Sequence, residues 1–192
     1  MDKLENKMPY GHPEDEKKIV EGCLRGEPRW QKILFEKYYG KMLAVCQRYS
    51  KNRDEARDIL QEGFIKVFQK LNQYSIGSSF EGWIRRIMVN TAIDFYRKSA
   101  TEPLMSDIDI AGYVPGHHDV VSDMSYDELI GLMQHLPAGY KIVFNMYAIE
   151  GYSHKEIAEA LNYSEGTSKS QLAKARVYMQ KLISSKLTSQ NG

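Results

Sequence analysis

Thiol chemistry is nearly missing from this chain: among 192 residues there are two cysteines, Cys23 and Cys46. Both fall on apolar helical positions, where buried reduced thiols are expected rather than a disulfide or a reactive site. No apolar run approaches the ~20 residues that would cross a bilayer. The opening residues MDKLENKMPYGHPEDEKK lack the apolar stretch of a secretion signal, so the chain is expected to stay in the cytoplasm. A glycine-rich phosphate loop is absent as well. Of the histidines, His117 and His118 lie in a Pro- and Gly-containing stretch, and neither cysteine has a base at a recognisable spacing. These absences remove most enzyme classes. No catalytic residue, cofactor or metal is expected.

Net charge is close to nothing at +1, but its distribution is uneven. From Ser99 to Tyr140 not one Lys or Arg occurs, while Glu102, Asp107, Asp109, Asp119, Asp123, Asp127 and Glu128 do. The first part of that stretch also carries Pro103, Gly112, Pro115 and Gly116 and little apolar periodicity, the pattern of a linker. Positive charge is confined to the flanking segments, where a basic partner-seeking face would have to lie.

What is present is helical periodicity. No segment alternates with period two, so the fold class is all-α: two small helical domains joined by a flexible acidic linker, the C-terminal one a helix-turn-helix. The expected organisation is a tail at 1–13, a helical domain at 14–98, the linker at 99–122 and a second domain at 123–187. In the first domain a short helix stops at Gly26, and Pro28 opens a longer one. Asn52 with Glu55 and Ser78 with Glu81 are the expected caps of a third and a fourth helix.

Ser153 to Ile183 is the most informative stretch. Ser153 with Glu156 forms a capping box, Ile157, Ala158 and Leu161 make an apolar stripe, and Asn162 can take the left-handed turn. Ser164 caps a second helix, in which Leu172, Ala175, Met179, Leu182 and Ile183 recur on one side. Ser168, Lys169, Ser170, Gln171, Lys174 and Arg176 mostly face elsewhere, with side chains suited to phosphates and base edges. The arrangement is a helix-turn-helix whose second helix could enter a major groove; a helical hairpin with a solvated basic face is the plainer alternative. In the fourth helix Arg86, Asn90, Asp94 and Arg97 follow at steps of four, four and three, on one polar face. Tyr74, Phe80 and Tyr96 nearby could stack on unpaired bases, although residues such as Phe80 and Trp83 are more often plain core than stacking platforms. Asp94 and Arg97 could equally pair within the helix. The third helix places Asp54, Asp58 and Glu62 in an acidic stripe, a solvated face or a docking surface for a basic partner.

In order, ARDILQEGFIKVFQKL, FEGWIRRIMVNTAIDFYRK, an acidic gap and GYSHKEIAEALNYSEGTSKSQLAKAR resemble the bacterial sigma factors of the extracytoplasmic-function (ECF) subfamily, over about residues 14–187. The resemblance implies a transcription initiation factor without enzymatic activity that binds core RNA polymerase and directs it to promoters. Asp58, Gln61, Glu62 and Phe64 would dock on the coiled coil of the β′ subunit. Arg86, Asn90, Asp94 and Arg97, with the loop from Tyr74 to Ser79, would hold the melted −10 strand. Lys169, Ser170, Gln171, Ala173, Lys174 and Arg176 would read or grip the −35 duplex. An anti-sigma factor is a further partner that the resemblance raises. Two positions depart from the pattern. Gly82-Trp83 stands where primary sigma factors have adjacent tryptophans, which predicts reliance on easily opened promoters. Gln171 stands where many relatives resemble Arg, and its amide would favour adenine. A free-standing helix-turn-helix regulator is the second function class, and it leaves the Arg86–Arg97 face without a purpose. A metal-dependent hydrolase on Asp54, Asp58 and Glu62 is the third, and no supporting His or Cys accompanies those carboxylates.

Overall fold

The computed structural model describes residues 13–75, 78–99 and 125–190, and among them the regular structure is eight α-helices with a 3₁₀ turn and a π turn. The helices are α1 (Pro13–Leu24), α2 (Pro28–Tyr49), α3 (Arg53–Lys70), α4 (Phe80–Ser99), α5 (Tyr126–Met133), α6 (Ala138–Phe144), α7 (His154–Leu161) and α8 (Glu165–Gln190). Residues 1–12 of the expected tail and 100–122 of the expected linker lie outside the described residues, whereas Pro13 and Ser99 are helical. Two compact units are present, one of residues 1–46 and 54–91, the other of 47–53 and 92–192.

In the first unit the apolar periodicity of α1 to α4 closes on one core. Leu34 and Met42 of α2, Ile59 and Val67 of α3 and Ile84 and Met88 of α4 are all essentially without solvent contact. Two glycines set the spacing. A Cβ on Gly63 would run into the Met88 sulfur, and one on Gly22 into the Trp30 ring, so α3–α4 and α1–α2 cross at distances only glycine allows. Ser79, not Ser78, caps α4: its Oγ accepts from the Gly82 amide at 3.1 Å. The expected cap Ser78 instead donates to the Ser75 carbonyl at 2.9 Å, which tightens the preceding loop. The register differs by one because the loop takes Ser78 for its own closure.

The second unit is built on α8, against which Met133, Leu136 and Tyr140 pack around Ala175 and Met179. Capping boxes start α5 at Ser125–Glu128 and α7 at Ser153–Glu156. Asn162 takes the left-handed conformation at φ 57° and reverses the chain, and Ser164 Oγ accepts the Thr167 amide at 2.9 Å to open α8. The same unit includes the end of α2, whose last carbonyls have no partner within their own helix. Gln134 Nε2 donates to the Gln47 carbonyl at 2.7 Å, Asn145 Nδ2 to Arg48 at 2.9 Å and Lys141 Nζ to Ser50 at 2.7 Å. A buried ion pair, Arg48–Glu150 at 2.9 Å, completes this polar cap.

After α6 the chain does not end its helix but widens it. Asn145–Ile149 form a π turn, with the Glu150 amide bonded to the Asn145 carbonyl five residues back at 3.0 Å. The Asn145 side chain contributes, because its amide takes the Lys141 carbonyl at 3.0 Å besides that of Arg48.

Candidate nucleic-acid interface

On α8 the exposed face is set by what the core consumes. Leu172, Ala175 and Met179 point inward, which leaves Lys169, Ser170, Ala173 and Arg176 exposed and Lys174 half-buried along the other side. Lys169 reaches Glu165 at 3.9 Å across one turn, an exposed pair that a phosphate can replace at little cost. Gln171 departs from the expectation. It is 7% exposed, and its Oε1 is buried without a hydrogen-bond partner, so its amide does not stand on the face offered to DNA. The apolar spacing of α8 and the resemblance placed it there, and the spacing put Ser168 on the same side; packing buries both instead.

On α4, Arg86, Asn90 and Arg97 are exposed and Asp94 half-buried, while Ile84, Met88 and Ile93 are buried. The structure brings the four polar residues to one side of the helix. Arg97 approaches Asp94 at 3.8 Å, so a carboxylate sits beside that guanidinium. Tyr74 is a brace for its loop. Its hydroxyl donates to the Ser78 carbonyl at 2.5 Å, and its ring lies 4.7 Å from Phe80 and 5.6 Å from Trp83. Burial raises the Tyr74 phenol above its ordinary range, which keeps that donor protonated. Phe80 is core, 1% exposed, while Trp83 is half-buried and Ser79 is exposed. The Tyr96 hydroxyl pairs with that of Tyr163 at 2.9 Å; burial, then this bond, pushes the Tyr163 phenol far up.

On α3, Asp58 and Gln61 are exposed and Glu62 is half-buried, 4.0 Å from Lys66. Phe64 is 3% exposed and packs on Phe35 at 4.7 Å, so of the four expected docking residues it is a core residue and offers no side chain to a partner. Ile65, which the sequence reading passed over, stands 51% exposed beside the acidic residues. An apolar residue there breaks the helical periodicity, and that break was its only signal.

Two helix faces expose guanidinium, ammonium, amide and hydroxyl groups, the groups with which helical proteins that carry a helix-turn-helix meet nucleic acid. Comparison with known proteins makes that class specific. Residues 34–102 match the profile of sigma-70 region 2, and residues 121–179 that of sigma-70 region 4. The RNA polymerase sigma-H factor of Pseudomonas aeruginosa is 30% identical, over 88% of this chain and 94% of its own. The ECF RNA polymerase sigma-E factor of Haemophilus influenzae is 27% identical, over 86% and 93%. Among solved structures, a sigma factor RpoE in complex with the anti-sigma factor NepR from Bartonella quintana aligns with TM-score 0.47 and 19% identity, covering 80% of this chain and 96% of that one. The chain belongs to the sigma-70 family of RNA polymerase sigma factors, in its ECF group. It is a promoter-recognition factor for transcription initiation.

Proposed function

We propose that the residues at 14–98 dock on core polymerase and hold the melted −10 strand, that 123–187 read the −35 duplex, and that the acidic stretch at 99–122 spans between them. The observation that carries this is the pair of exposed polar faces, Arg86, Asn90 and Arg97 on α4 and Lys169, Ser170 and Arg176 on α8. A free-standing regulator of duplex DNA needs only the second. Asp58, Gln61 and Glu62 form the docking surface for the β′ coiled coil, with exposed Ile65 as its apolar centre. Charged rims speed and orient association while a desolvated apolar contact supplies affinity. The acidic stretch suits a basic channel built for RNA. The protein acts as a binding subunit and not as an enzyme, in the cytoplasm where the chromosome is.

The test is reconstitution with core polymerase and run-off transcription from a promoter library. Arg86→Ala combined with Asn90→Ala should keep core binding and lose most start-site selection. Start sites chosen as by wild type would overturn the −10 assignment. Asp58→Arg with Glu62→Arg should weaken co-elution with core about tenfold or more; unchanged co-elution would remove α3 from the docking surface.

A further inference from the structure

The π turn at Asn145–Ile149 carries Tyr147, whose ring meets residues of α7 and α8. Its ring lies 4.6 Å from that of His154, nearly parallel at 23°. The Arg176 guanidinium carbon lies 5.9 Å from the same ring centroid. His154 is fixed in turn, its Nδ1 2.9 Å from the Oγ of Ser168, which is wholly buried. A chain of contacts therefore leaves α8 at Ser168, crosses the N-terminus of α7 and the π turn, and returns to α8 at Arg176. Those two positions are eight residues apart, roughly 12 Å along the helix axis. Between them lie exposed Lys169, Ser170 and Ala173.

We infer that Tyr147 is a positioning residue for the DNA-reading face of α8, holding the Arg176 guanidinium where it meets a phosphate of the −35 duplex. This rests on the reading of α8 given above. A guanidinium drawn to the face of a ring keeps N–H donors free for phosphate oxygens. An exposed arginine otherwise gives up much rotamer freedom when it binds, and an arginine already held over a ring gives up less.

The test uses the full chain reconstituted with core polymerase and a promoter duplex, with affinity followed against salt. Tyr147→Leu keeps bulk and removes the aromatic face; it should lower affinity about threefold to fivefold. Its log–log salt slope should shrink by up to ~0.9, the share of one phosphate contact. Tyr147→Phe should restore both. Arg176→Ala should show the same loss, and adding Tyr147→Leu to it should cost nothing further. A tyrosine that only supported folding would leave the slope unchanged, and its loss would multiply with that of Arg176→Ala; either result overturns the inference. If Arg176→Ala is harmful and Tyr147→Leu is not, only this inference falls. If Arg176→Ala is itself without effect, the −35 assignment of Arg176 falls with it.

Discussion

Glu128 shows how much one side chain can carry. It closes the capping box of α5 and also meets Lys186 Nζ at 2.7 Å. Lys186 first, then the Ser125 backbone amide and hydroxyl, hold its carboxyl at about 2 against an ordinary 4.5. A carboxyl lowered in the folded state stabilises above its unfolded value and loses that contribution as pH falls through the folded one. Stability should therefore decline between about pH 4.5 and 2, and Glu128→Gln, which can still cap, should flatten that part of a urea-midpoint profile against pH. Gln171 gives a second expectation of this size. Its buried, unpartnered oxygen gains nothing from remaining polar, so Gln171→Met should not lower the urea midpoint and should leave promoter preference unchanged. Gln171→Arg brings a charge to the same place and should destabilise by about 1–3 kcal/mol.

Helices here are held by close crossings and by their ends. Where α3 meets α4, Gly63→Ala puts a methyl group against the Met88 sulfur, which has no solvent to retreat into. Overpacking of this kind costs about 1–3 kcal/mol, and thermal unfolding of the purified chain would measure it. The turn between α7 and α8 depends on Asn162 in the left-handed region. Asn162→Gly should be neutral, whereas Asn162→Val should cost about 1–2 kcal/mol and misdirect α8, with a matching loss of −35 recognition. α4 and α8 present polar faces because their opposite faces are buried.

For the molecule as a whole, the buried Arg48–Glu150 pair is the costly feature. Both side chains are nearly without solvent, 5% and 6% exposed. Glu150→Ala would leave a buried guanidinium without that carboxylate and should destabilise by about 3–5 kcal/mol in denaturant. Replacing both partners, as in Arg48→Met with Glu150→Leu, should recover most of that loss. Such a result would separate the burden of an uncompensated charge from any net value of the pair. Lys141, 4% exposed, adds a second buried cation to the same unit.

The amino-acid sequence alone determined the all-helical class, the start of α7 and α8, the left-handed turn at Asn162 and the inward stripe of Ile157, Ala158 and Leu161. Those features follow from local rules, in which caps, turn residues and a period of 3.6 act within a few residues of one another. It also identified the polar residues of α4 and α8, because groups that the core has no use for are legible as breaks in apolar periodicity. Only the tertiary structure decided which polar residues reach solvent. Gln171 lost its expected exposure to packing from other elements, and Ser79 took the cap from Ser78 because the loop claimed the latter. The π turn and the stack of His154, Tyr147 and Arg176 were beyond sequence reading for the same reason. The ring contacts join residues of separate elements, the Asn145 side chain that opens the turn bonds to the carbonyl of a residue 97 positions away, and local patterns hold no record of such partners.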